Sequence, residues 1–225
     1  MCSVGSVPTE RIARWPFPDE PGYSLVTVNA PRLSADARRQ QILDVAIDEF
    51  GRSGYFGTSM NDIAEAAGVT KPVLYQHFDS KADLYRALLD EVGTRMLTTI
   101  AKATSNATDG RDRTERGFGA YFGWVAEHNH EFSLLFGGSA RHERAFSAQI
   151  RRINDEAANA IAGLIDIDIE PEHRATLAHG LVGLAEGASR RLVGAGESFD
   201  PDEVARVVSQ LAWAGLRAID RSATR

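Results

Sequence analysis

The stretch "TKPVLYQHFDSK", Thr70–Lys81, gathers a proline, two aromatics and three basic side chains into the space of one short helix. A proline inside a helix breaks it, but one in the first turn loses nothing, because its missing N–H has no intrahelical partner there. Thr70 suits the N-cap position. The segment therefore reads as a short helix that begins around Pro72 instead of one interrupted by it. At roughly 100° per residue, Leu74 and Phe78 fall on one side, toward a core shared with Phe50 and Ile63. Lys71, Pro72, Val73, Tyr75 and Gln76 are left facing outward, with His77 and Lys81 at the far end.

Upstream, a second short helix follows Thr58, carries Ile63, Ala64 and Ala67, and stops at Gly68, a residue suited to positive φ. Two short helices about such a turn form a helix-turn-helix, whose second helix enters the DNA major groove. On this reading Lys71 and Tyr75, one turn apart, reach neighbouring phosphates. Before it, Ser34 caps "ADARRQQILDVAIDEFGRSG", with Ile42, Ala46 and Phe50 on one stripe, Leu43 and Ile47 beside it, and an end at Gly51 or Gly54. After it, Ser80 and Asp83 cap a longer helix with a stripe of Leu84, Leu88, Val92, Met96 and Thr99. The amide groups opening this helix, and the one after Thr58, are natural phosphate sites.

Beyond the polar break "SNATDGRD" the same helical periodicity continues. One segment holds Phe118, Tyr121, Phe122 and Val125, followed by the short apolar piece "FSLLF". Another runs through Phe146, Ile150, Ile153, Ala157, Ile161 and Leu164. The last two carry Leu177, Leu181, Leu184, Ala188 and Val204, Val207, Leu211, Gly215, with Pro171 and Pro201 in or just before a first turn. The fold class is all-α. Residues 1–31 hold five of the eight prolines and no sustained period, so they read as an extended tail from which Arg11 and Arg14 can touch DNA.

The 225 residues are 43% hydrophobic and 25% charged, enough to bury a real core and too apolar for general disorder. A formal charge of −6 does not suggest a nucleic-acid partner, so any such site must be a local patch. Cys2 is the single cysteine, which excludes a disulfide framework and a thiolate metal cluster and fits a reducing cytoplasm. No window has the roughly 20 apolar residues that span a bilayer. The chain has no Gly-x-Ser-x-Gly elbow, phosphate loop or His-Glu-x-x-His motif, so neither an enzyme nor a cofactor is expected. One rival class remains: Glu127-x-x-His130 and Glu170-x-x-His173 have the spacing of di-metal carboxylate bundles. The first pair, however, sits at a helix end and the second straddles Pro171.

The run "FGRSGYFGTSMNDIAEAAGVTKPVLYQHFDSKADLYRALL" strongly resembles the DNA-binding segment of TetR/AcrR-type regulators over Arg38–Leu89. That resemblance implies a helix-turn-helix module over 32–80 and an effector-binding and dimerisation domain over 81–225. It further implies a homodimer, a palindromic double-stranded DNA operator, and regulation by a small effector, usually repression. It assigns DNA contacts to Thr58, Lys71, Tyr75, His77 and Lys81, and leaves Lys71, Val73 and Gln76 as base-reading positions, with Pro72 where the family often has a small residue.

The C-terminal half must speak through its own residues. Phe118, Tyr121, Phe122, Trp124, Phe132 and Phe136 form an aromatic concentration that reads either as plain core or as the lining of an apolar effector site. Gly180, Gly183, Leu184 and Gly187, with Val208, Leu211 and Gly215 in the last helix, are the expected dimer surface, because small side chains let another helix approach closely. The segments "KPVLYQHF", "GLVGLAEGASRRLV" and "QLAWAGL" are similar to a group of actinobacterial TetR-type regulators of lipid metabolism. This implies a long-chain acyl-coenzyme A as effector, with an aromatic drug-like compound, as sensed by regulators of efflux, as the alternative.

Overall fold

The structure of the chain is a computed structural model, which describes residues 33–136, 144–165, 167–194 and 199–222. The tail expected over residues 1–31, with Arg11 and Arg14, lies outside the described residues. Every described element is helical: α1 (Ala35–Gly57), α2 (Met60–Ala66), α3 (Lys71–His77), α4 (Lys81–Thr104), α5 (Gly110–Glu127), α6 (Asn129–Phe136), α7 (Arg144–Ala162), α8 (Pro171–Gly194) and α9 (Pro201–Ser222).

Helix α1 starts as the sequence reading places it, with the Ser34 hydroxyl accepting the Ala37 N–H at 3.1 Å. It buries the expected Ile42, Leu43, Ala46, Ile47 and Phe50. Its regular run ends at Gly54, one of the two expected stops. The chain kinks at Gly54 (φ 70°, ψ 170°) and the helix resumes to Gly57. The added residues are held because the Tyr55 ring has a core to enter, with centroids 5.0 Å from Tyr85 and 4.9 Å from Phe146.

Helix α2 is capped by Ser59 and not by Thr58. The Ser59 hydroxyl accepts the Asp62 N–H at 3.3 Å and the Asp62 carboxylate accepts the Ser59 N–H at 2.8 Å, a reciprocal box. Those bonds, the backbone one foremost, hold the Asp62 carboxyl below the usual carboxylate range. At the other end Gly68 takes φ 62°. Its N–H bonds Glu65 O at 3.0 Å and the Val69 N–H bonds Ala64 O at 2.9 Å, the paired closure of a left-handed helix stop. Gln41 reaches from α1 to Ala67 O at 3.2 Å and fixes this turn against the first helix. Thr70 occupies the N-cap of α3, but its hydroxyl makes no capping bond; Pro72 sits in the first turn as expected.

Ser80 caps α4 through the Asp83 N–H at 3.0 Å. Leu84, Leu88, Val92 and Met96 are buried, whereas Thr99 is exposed and bonds back to Arg95 O, because the stripe drifts off the core after four turns. Helix α4 lies against α5 and α7. The approach is tight at Gly93, where an added Cβ would meet Ile153 Cγ2 at 3.0 Å. The "FSLLF" piece belongs to α6, Leu164 lies past the end of α7 and is 39% exposed, and Pro171 and Pro201 each open their helices.

Further contacts join the first helices to the rest. Arg95 of α4 pairs with Glu91 on its own helix and with Asp44 of α1, while Gln40 of α1 donates to Glu91 at 3.2 Å. At the other end of α1, Gly51 lies so close to α6 that a Cβ there would come within 2.8 Å of His130 Cβ.

Candidate functional site

Helix α3 is a seven-residue rod fixed from below. Leu74 is fully buried and Phe78 is 2% exposed, both in one core with Phe50 and Ile63. Their burial turns the opposite face outward: Lys71, Pro72, Tyr75 and Gln76 are exposed, and Val73 and His77 are half-buried at its edges. Tyr75 is 45% exposed, whereas Val73 on the other side of Leu74 is half-buried. No acidic side chain lies between Lys71 and His77. A face with a lysine, a phenol, an amide and an imidazole, and no carboxylate, matches phosphate and base-edge chemistry despite the net negative charge of the chain.

Two expected DNA contacts have different employment. Thr58 is 3% exposed, and its hydroxyl donates to Gly54 O at 2.9 Å and lies 3.2 Å from Glu49 O. Lys81 donates to Tyr55 O at 2.8 Å and Thr58 O at 2.9 Å, with its ammonium 4.4 Å above the Tyr55 ring. Both side chains tie down the carbonyls that the kink at Gly54 leaves without helical partners. Two residues that periodicity did not single out join this region: Arg39, whose guanidinium lies 4.8 Å over the Phe78 ring, and Phe56, 63% exposed beyond the kink. An exposed phenylalanine leaves no periodic signal, so only the structure reveals it.

The six aromatic residues singled out in the C-terminal half are all in the interior, from Phe122 at 0% to Phe118 at 8% exposure. Five of them meet in two groups: Phe118 stacks on Phe122 at 6.2 Å and Tyr121 meets Phe122 edge-on at 5.3 Å, while Phe132 lies 5.1 Å from Phe136; Trp124 stacks on His128 at 5.4 Å. The open groove between α5 and α9, lined by Arg111, Glu115, Asp202, Arg206 and Gln210 among others, contains none of them. Glu127 and His130 are exposed at the α5–α6 junction, as are Glu170 and His173 around the start of α8, so neither pair projects into a core as a di-metal centre requires. Among the described residues no three His, Cys, Asp or Glu side chains group as metal ligands, and no helix is long and apolar enough to cross a membrane.

On α8, Gly180, Gly183 and Gly187 are exposed, and Leu184 is half-buried against the core. Leu211, at 64% exposure, and Gly215 are exposed on α9. A Cβ added at any of the four glycines would meet nothing within 4 Å. Val208 is a correction: at 9% exposure it belongs to the chain's own core, and its neighbour Val207, 52% exposed, faces outward in its place. Helix α9 packs extensively along α5, and that contact selects which of the two adjacent valines turns inward.

Comparison with known proteins agrees with this geometry. Residues 42–88 match the family model for bacterial regulatory proteins of the tetR family, and residues 111–215 match a tetracyclin repressor-like C-terminal domain. The chain is 34% identical over 187 residues to the HTH-type transcriptional activator FasR of Mycolicibacterium smegmatis, covering 82% of this chain and 85% of that protein. A TetR-like transcriptional regulator from Rhodococcus sp. RHA1 superposes with a TM-score of 0.67 at 29% identity, over 83% of this chain and 99% of that one. The FadR regulator of Bacillus subtilis, solved in complex with stearoyl-CoA, shares the fold with a TM-score of 0.67 at 15% identity, over 77% and 96% of the two chains. Two family models in series and a relative matched over most of its length place the anchored, outward-facing α3 in its setting: the chain is a DNA-binding transcriptional regulator of the TetR family.

Proposed function

We propose that this regulator binds a palindromic operator as a homodimer and that a long-chain acyl-coenzyme A, entering among the six rings, changes its affinity for DNA. The division into a module over 32–80 and an effector and dimerisation domain over 81–225 is part of that reading. The observation that carries the DNA half is the face of α3: Lys71, Val73, Tyr75, Gln76 and His77 are presented outward by two buried anchors. Thr58 and Lys81 shape the module from inside. The second protomer covers the uncovered small-residue face of α8 with Val207, Leu211 and Gly215 of α9, in a four-helix arrangement about a two-fold axis.

The effector class is supported by buried rings on α5 and α6 and by the stearoyl-CoA complex of a protein with this fold; FasR is the relative matched over most of the chain. The sign of regulation rests on that relative's name alone, which is activator, against the repression expected from the sequence. Energetically, a differential affinity of about 1–3 kcal/mol between the two conformations gives roughly 5- to 150-fold control. Selection of sites from random DNA, followed by gel shifts with and without palmitoyl-coenzyme A, tests the reading. Half-sites about one helical turn apart are expected. Lys71→Ala should lower the slope of log affinity against log salt by about one unit per half-site, and Tyr75→Phe should weaken binding without unfolding. A monomer that selects no site would refute the DNA half; unchanged operator affinity with acyl-coenzyme A bound would refute the switch.

A further inference from the structure

Helix α1 brings a cation to the end of α3. The Arg39 guanidinium lies 4.8 Å over the ring of Phe78, the residue that closes α3 and anchors it in the core. Arg39 is exposed, and among the described residues no carboxylate lies within ion-pairing distance of it. Elsewhere on the chain the exposed Arg52, Arg111 and Arg116 are each matched with a carboxylate three or four residues away. Asp36 stands three residues before Arg39, so the same spacing is offered here and forms no pair.

The setting of this charge selects its partner. A guanidinium carries five N–H donors, and an aromatic face holds the charge without satisfying them as an oxygen would. The stack also restricts the side chain, so less freedom is lost when an anion binds. The first turns of α1 are pinned to the module as well: Arg38 donates to Gln41 Oε1 at 2.6 Å, and Gln41 donates to Ala67 O in the turn before α3. Side chains of α1 thus reach both ends of α3. A helix of seven residues is about 10 Å long, and the major groove is about 12 Å wide between its phosphate walls. A cation beside the last residue of such a helix meets the wall and not the base edges.

We propose that Arg39 is a backbone contact to DNA: its guanidinium, held on Phe78, donates to a phosphate oxygen at the edge of the groove that α3 enters. The assignment needs only that the chain binds DNA, and depends on neither the palindrome nor the effector.

The test is a salt titration of the full-length protein on two duplexes, a site selected from random DNA and one of mixed sequence, together with melting temperatures of the free variants. Arg39→Met keeps an unbranched side chain for the Phe78 ring and removes the charge. It is expected to lower the slope of log affinity against log salt by about one unit for each bound protomer, and to weaken both duplexes by a similar factor. Its melting temperature should stay within about 2 °C of the wild type. Arg39→Lys should keep the wild-type slope. Arg52→Met, which removes a charge already paired with Glu49 on the same helix, should keep it as well. A wild-type slope in Arg39→Met would overturn the contact and leave Arg39 as packing for Phe78. An equal fall in Arg52→Met would show a general effect of charge and overturn it too. Loss confined to the selected site would make Arg39 a reader of bases, against the assignment to phosphate. Where Arg39→Met melts lower, Arg39→Lys decides: a restored slope supports the contact, and a slope like that of the methionine variant overturns it. A wild type that binds neither duplex would remove the DNA reading itself, and the contact with it.

Discussion

Helices α2 and α3 have seven residues each, whereas α5, α8 and α9 have 18, 24 and 22. Elements as short as the first two have no stability of their own. They are held by local backbone devices: the Ser59–Asp62 box, the left-handed stop at Gly68, the tethers of Thr58, Lys81 and Gln41, and two anchors beneath α3. The long helices are held by rows of side chains against one another, with the ring cluster at their centre. The difference teaches where each region is vulnerable. One is sensitive to single polar or glycine positions, the other to loss of volume.

The largest effect should come from volume. Phe122→Ala, at a fully buried position stacked on Phe118 and met edge-on by Tyr121, is expected to cost about 3–5 kcal/mol in urea unfolding of the ligand-free protein. A cost below about 1 kcal/mol would mean that the two regions are not held differently. Gly51→Ala should cost about 1–3 kcal/mol, because its methyl group must push α6 away at His130. Operator affinity measured on the folded protein should shift as well, since the displaced contact joins the DNA-binding module to the effector domain. Gly68→Ala is expected to cost about 1–2 kcal/mol from the left-handed backbone alone, as nothing lies within 4 Å of the new Cβ. Ser59→Ala should remove about 1 kcal/mol by opening the capping box.

The smallest effect lies in the C-terminal half. His179 is raised above its ordinary pKa by its hydrogen bond to Ala175 O and then by Asp155, and the pair is exposed. Its stabilising contribution is therefore complete below pH about 6.5 and is lost as pH rises through the folded-state value. An imidazole titration by NMR should place His179 above the free value and Asp155→Asn should bring it down. Thermal stability should change little, because the charges are screened by water.

The module was legible because its devices are written in adjacent residues. Leu74 and Phe78 four apart, Gly68 at the turn and Ser80 with Asp83 each state their role within a few positions. Thr58 and Lys81 also bond carbonyls around the kink at Gly54, a role that no hydrophobic period records. In α9 the adjacent Val207 and Val208 are equally apolar, and only the packing of α9 along α5 tells which is inside.

The ion pairs of Arg95 with Asp44 and Glu91 carry a consequence for any affinity titration in salt. The first bridges α1 and α4 and the second lies along α4; both are partly exposed, so mobile ions screen them along with any contacts to phosphate. Raising the salt would then loosen the contact between α1 and α4 and reduce the gain from counterion release at DNA in the same experiment. The measured slope counts both processes, and a phosphate census taken from it becomes reliable only after the same titration with Arg95→Met has separated the internal share.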